Sequence, residues 1–243
     1  MSSLEAKKIA PATGTTVTLG AAGDAVTVAA TALKTNTIKD AGGNTILTSN
    51  GSGTLSSVNG ALKGGLKFIS TQTFSNAASV AFTSGIDSTY NEYMFVFSEI
   101  HPDTDNNIWW FQASTDGGST YGVTCTTTLF AAVHDEDGDP YGLAYAAGDD
   151  RANSTSYIYL AAGGVGGAAD ECLAGTLNLF NLSSTSYAKQ FYARTNNYYV
   201  SNYSKDSYVG GYFNTTSAIN AFQFQMGGGG TVDGTISLYG TGY

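Results

Sequence analysis

At 243 residues, with only 12% charged side chains and a formal net charge of −9, the chain has room for one substantial domain and an appendage. The acidic balance argues against nucleic acid as a partner, because such a surface is repelled by phosphate backbones. With 31 Gly, 3 Pro and 42% hydrophobic residues, the composition predicts β-structure joined by tight turns and excludes a disordered chain.

The 12 Phe, 16 Tyr and 2 Trp all lie at or beyond Phe68, as do both Cys and both His. Charge changes at the same point. Lys7, Lys8, Lys34, Lys39, Lys63 and Lys67 stand against Glu5, Asp24 and Asp40, a balance of +3, whereas the rest sets Arg151, Lys189, Arg194 and Lys205 against sixteen acids, a balance of −12. The opening stretch, MSSLEAKKIAPATG, lacks the apolar core of a signal peptide, and no run is long enough to span a membrane. Folding in a cytoplasm is therefore expected, with Cys125 and Cys172 as reduced core residues rather than a disulfide. On the same ground the Asn-x-Ser/Thr sites at Asn153, Asn181, Asn202 and Asn214 are not expected to carry glycans.

Before Phe68 a weak repeat runs through residues 16–19, 25–28, 36–38, 44–47 and 54–55, short pieces alternating Thr with Val, Ile or Leu and separated by Gly-, Asn- or Asp-containing turns. Each piece offers one narrow aliphatic face. Ordering the backbone costs about 1–2 kcal/mol per residue, more than such a face returns at about 25 cal/mol per Å² buried. The segment therefore needs a docking surface or copies of itself, as when three chains wrap about a shared axis; a flexible leader with coincidental spacing is the alternative reading. The contacts would fall to Ile9, Val17, Leu19, Val26, Val28, Ile38 and Ile46.

From Leu66 onward the pattern predicts strands over 66–74, 79–83, 92–101, 107–114, 121–130, 156–162, 172–182, 188–195, 208–214, 218–226 and 231–239. Phe222, Phe224 and Met226 share one face, with Gln223 and Gln225 opposite, and Tyr93–Phe97 is apolar on both faces, as in a central strand. Trp109 and Trp110 must face opposite ways, one into the core and the other toward a groove or a neighbouring subunit. The Gly-rich runs 163–167 and 227–230 lack a strand–turn–helix setting and read as turns. A succession of short strands without a convincing helix predicts an all-β fold, a jelly-roll-like β-sandwich.

Asp135, Asp137 and Asp139 occupy alternate positions of an acidic turn, where carboxylates can converge on Ca²⁺. The EF-hand pattern fails, however, with Pro140 at its sixth position and Ala146 at its twelfth, so a solvated loop tip is the plainer reading. No other cofactor is suggested. Segment 194–213 interleaves Tyr198, Tyr199, Tyr203, Tyr208 and Tyr212 with Asn and Ser, flat rings beside amides and hydroxyls that suit contact with a glycan, with Tyr198, Tyr199 and Tyr203 as the candidate contacts. Tyr is also an ordinary strand residue, and half of these side chains are expected to point inward. His101 and His134 sit in no recognisable nucleophile context, and a carboxylate pair drawn from sixteen acids means little without geometry, so no enzyme activity is expected.

The stretch KKIAPATGTTVTLGAAGDAVTV (7–28) resembles the leader of virion fibre proteins from tailed bacteriophages, especially those of marine hosts such as cyanophages. FISTQTFSNAASVAFTSGIDSTYNEYMFVFSEIHPDTDN (68–106) and GTISLYG (234–240) resemble the head of the same group, and together these stretches cover about a third of the chain. The resemblance implies a homotrimer on the virion, assembled in the host cytoplasm, whose N-terminus attaches to other virion structural proteins. Its β-domain faces a host cell-surface glycan or receptor, with no nucleic acid bound and no membrane inserted. The expected organisation is a virion-docking leader over 1–30, a short β stalk or neck over 31–65 and a jelly-roll-like head over 66–243. Its function would be that of a short tail or capsid fibre; a capsid decoration protein without receptor binding and a surface polysaccharide-degrading enzyme are the alternatives.

Overall fold

A computed structural model describes residues 35, 37–40, 42–52, 55–58, 65–138 and 142–241. The chain divides into two compact units, residues 1–64 and 65–243.

In the first unit, β1 (Thr37–Lys39), β2 (Thr45–Ser49) and β3 (Leu55–Val58) form an antiparallel meander in the order β1-β2-β3. The turn between β1 and β2 is held by Asp40, whose carboxylate accepts from the Asn44 N–H at 2.8 Å and from its Nδ2 at 3.0 Å. Ile38 is 41% exposed and Ile46 half-buried. Ile9, Val17, Leu19, Val26 and Val28, with the first two repeat pieces, lie outside the described residues.

The second unit is all-β, a sandwich of two antiparallel sheets. The larger sheet contains eight strands, β4 (Lys67–Ala77), β15 (Val232–Thr241), β6 (Glu92–Pro102), β11 (Leu173–Phe180), β12 (Lys189–Tyr199), β13 (Tyr203–Phe213), β8 (Cys125–Asp135) and β9 (Leu143–Tyr145), in that spatial order. The smaller holds β10 (Ile158–Tyr159), β7 (Trp109–Ser114), β14 (Ala221–Met226) and β5 (Val80–Phe82). The chain crosses repeatedly between them, so consecutive strands often belong to opposite layers. Inward residues of the two sheets interdigitate as aromatic rings. Phe95 meets Phe82 at 5.1 Å and Phe222 at 5.6 Å, and Phe111 meets Phe191 at 5.6 Å, each with the rings tilted edge-to-face.

The expected alternation is realised. Phe222, Phe224 and Met226 are fully buried, β6 is central with a partner on each side, and Trp109 is buried while Trp110 reaches the outer face. Registers of β6 with β11 and with β15 both shift near Glu99, whose φ is +56°. Gly175 and Gly234 flank that bulge. A Cβ on Gly234 would lie 2.9 Å from the Glu99 carbonyl oxygen, and one on Gly175 would lie 2.3 Å from that of Arg194, so only glycine lets the strands close around it. Both cysteines are free.

Candidate functional site

β12 and β13 form one long hairpin, paired without interruption from Lys189↔Phe213 to Tyr199↔Tyr203. Its turn is closed by the Asn202 N–H donating to the Tyr199 carbonyl at 2.9 Å, with Asn202 at φ +64°, a conformation Asn tolerates. β8 runs along the other side of β13 and places Asp135 opposite Tyr203 and His134 opposite Ser204. Two segments almost seventy residues apart in sequence thus meet at one end of the large sheet.

There a pocket of about 290 Å³ is lined by His134, Asp135, Glu136, Asn196, Asn197, Tyr198, Tyr203 and Ser204. Asn196 Nδ2 donates to Ser204 Oγ at 3.1 Å, and His134 Nδ1 lies 2.8 Å from the Asp135 carbonyl oxygen. The Tyr198 hydroxyl is hydrogen-bonded to the Glu136 carboxylate, which raises its pKa, helped by burial and by the charges of Glu136, Asp170 and Glu171. The Tyr199 and Tyr203 rings stack at 5.8 Å with an interplanar angle of 5°. Tyr199 does not line the pocket; it backs Tyr203 and carries the Lys205 ammonium 4.3 Å from its ring centre.

The structure thus brings together two of the three tyrosines singled out in the sequence and one of the acidic-turn residues. Asp137 follows β8 in the turn, and Asp139 lies outside the described residues. Among the described residues no three His, Cys, Asp or Glu side chains are grouped as a metal site, so no step is assigned to Ca²⁺. His134 and Glu136 border the acidic turn and Asn196 and Ser204 fall within segment 194–213, but none of the four stands out in the sequence as a contact residue. Only the β8–β13 register, which no local pattern encodes, would have revealed them.

Trp110 borders a separate depression of about 340 Å³ with residues 104–108 and the glycine turn at 227–230. Its ring stacks on Tyr157 at 4.7 Å and on Tyr159 at 5.5 Å, and the Arg151 guanidinium lies 4.2 Å from the Tyr159 ring centre. These rings occupy one another's faces.

No protein family, curated protein or solved structure matches this chain.

Proposed function

We propose that this chain is a non-enzymatic structural protein of a tailed-bacteriophage virion. In this reading it is a homotrimeric short tail or capsid fibre, whose N-terminal segment attaches to other virion proteins and whose jelly-roll-like head adheres to a glycan on the host surface. The observation that carries the adhesive part is the pocket at the hairpin tip. Tyr198 and Tyr203 offer ring surface, and Asn196, Ser204 and the neighbouring carboxylates offer hydrogen-bonding groups. Lining acids and the absence of Lys or Arg among the lining residues favour neutral or amine-bearing sugars over anionic ones. The two-unit division and the aliphatic meander of the first unit support an attachment segment distinct from a display domain.

A shallow site binds weakly by itself. Three heads on one fibre, and many fibres on one particle, would raise the avidity by orders of magnitude without any new contact. The test is adhesion of the purified full chain to host cells and to extracted host polysaccharide. Tyr198→Ala and Tyr203→Ala are expected to weaken each site by about 1–2 kcal/mol, roughly tenfold, while leaving the fold intact. A chain that coats capsids but never binds cells would identify a decoration protein instead.

A further inference from the structure

The outward face of the eight-stranded sheet differs from the rest of the head. Among the described residues nine large apolar or aromatic side chains are exposed, and six of them, Phe68, Phe130, Leu143, Tyr145, Tyr192 and Tyr212, lie on this one face. They are joined by cross-strand rows. One row passes from Phe68 through Tyr239, Met94, Asn178 and Tyr192 to Gly210 without a charge. The next two rows carry Arg194 and Asp206, which pair with each other, Arg194 Nη2 donating to Asp206 Oδ2 at 2.7 Å and Nε to Oδ1 at 3.1 Å, and the β6 bulge adds the exposed Glu99 carboxylate opposite Ala174.

The remaining polar groups on this face are largely satisfied within it. Thr71 and Ser237 share a hydrogen bond at 3.0 Å, Thr73 and Thr235 another at 3.0 Å, and the Tyr208 hydroxyl donates to Asp206 at 3.1 Å. Neutral groups already paired within the chain lose little when water is removed from them, so the hydroxyl-bearing part of the face can be covered at small desolvation cost. Its size suits a protein partner. Eight strands spaced about 4.8 Å apart and three rows about 7 Å apart span about 800 Å², which is about what one partner contributes to a stable interface.

Residues beyond Phe68 carry a balance of −12, so two copies of this chain repel one another over most of their surfaces and least here, where the charges are one ion pair and Glu99. A glycan would leave Met94, Val96 and Leu143 facing water. The face also carries both relief and recess, with Tyr192 protruding and a depression of about 500 Å³ lined in part by Ala174, Gly175 and Thr176. We infer that copies of this chain associate through the outward face of the eight-stranded sheet. The inference rests on the self-association in the proposed function, and Asn196 is common to this face and to the glycan pocket.

Sedimentation velocity of the full chain over a concentration series tests it, with folding checked by circular dichroism. The variants are Ala174→Lys, and Ala174→Lys combined with Tyr192→Lys; both positions are exposed, so the fold has no reason to fail. Tyr187→Lys, at a 75% exposed tyrosine off this face, is the control. The expected result is an oligomeric wild type and control, with association of the double variant weakened by a factor of about 100 or more, because two added ammonium groups would have to be desolvated in the interface. The single variant, expected to be weakened by a smaller factor, keeps the test informative should the double variant unfold. An oligomer indifferent to both variants would overturn this inference and leave self-association standing elsewhere. A wild type that stays monomeric throughout would overturn both, and would mean that the N-terminal segment or a different protein covers the face.

Discussion

Phe224→Ala is the most direct test of the sandwich core. The Phe224 side chain is fully buried, and five rings surround it: Phe82 at 6.3 Å, Phe95 at 4.9 Å, Phe97 at 5.4 Å, Trp109 at 5.9 Å and Phe111 at 6.0 Å. Phe95 and Phe97 come from the large sheet and the others from the small one, so the ring sits at the seam between layers. Truncating a buried Phe to Ala costs about 3–5 kcal/mol through lost transfer energy and the cavity left behind. Ring–ring contacts add about 0.5–1.5 kcal/mol per favourable pair, and rigid aromatic neighbours cannot collapse into the space, which places this site near the upper end. For a domain of this size about 4–5 kcal/mol corresponds to a fall in Tm of about 10–15 °C. Phe224→Leu, which retains most of the volume, should lose about 1–2 kcal/mol. Urea unfolding followed by tryptophan fluorescence is the assay, because Trp109 stacks on this ring at an interplanar angle of 16° and reports on it directly. Tyr187→Ala, at an exposed position, sets the baseline. A Phe224→Ala protein within about 1 kcal/mol of that baseline, at an unchanged m-value, would refute the packing argument.

Asp116 accepts hydrogen bonds from Ser114 Oγ and Thr120 Oγ1, each at 2.6 Å, and from the Thr120 N–H at 2.9 Å, which lowers its pKa to about 2. A carboxyl depressed by folding contributes stability above its unfolded pKa of about 4 and loses that contribution as pH falls through the folded value. Asp116→Asn should therefore flatten the dependence of Tm on pH between about 4 and 2, and identical slopes for the two proteins would contradict this. In thiol labelling followed by mass spectrometry, partly exposed Cys172 should be modified first. Cys125 is fully buried, with burial raising its thiol to about 11 against a small opposing effect of Arg151, and should react only on unfolding. Equal labelling rates for the two in the native protein would count against the burial of Cys125.

Where inward residues meet the opposite sheet, period-two alternation told the fold before any coordinates did. Phe222, Phe224 and Met226 read as one face and form one face, and the doubly apolar run at Tyr93–Phe97 is a central strand. Elsewhere the pattern is silent for a physical reason. β9 is three residues long, and all three are exposed, so it has no inside to mark. The first half of β13 reads Tyr-Ser-Lys-Asp-Ser, yet it is strand throughout, because its inward Ser207 faces backbone rather than hydrocarbon. The Ala162 N–H donates to Ser207 Oγ at 3.0 Å. The candidate pocket was half legible: its tyrosines announced themselves by type, but their companions from β8 arrive through a register that depends on the whole sheet.

That polar underside also explains how the hairpin tip is held. Thr195 and Asn197, inward on β12, donate to the carbonyls of Leu160 and Gly164, the latter at 3.1 Å, while Ser207 on β13 accepts from Ala162. Three consecutive anchor points along residues 160–164 therefore stand where the opposite sheet would otherwise supply apolar cover. Asn197 is fully buried and its Oδ1 has no protein partner, so the packing was reached at the cost of an unsatisfied acceptor. Two backbone bonds add to the same brace, the Gly166 N–H to the Tyr198 carbonyl at 2.8 Å and the Tyr198 N–H to the Cys172 carbonyl at 3.1 Å. A hairpin fixed from below in this way loses little conformational entropy when its outer side engages a ligand. The proposed adhesion through many weak contacts would depend on that property. In that proposal ring and amide chemistry would set each site's affinity, and the braced underside would keep binding from being offset by the ordering of a loose loop.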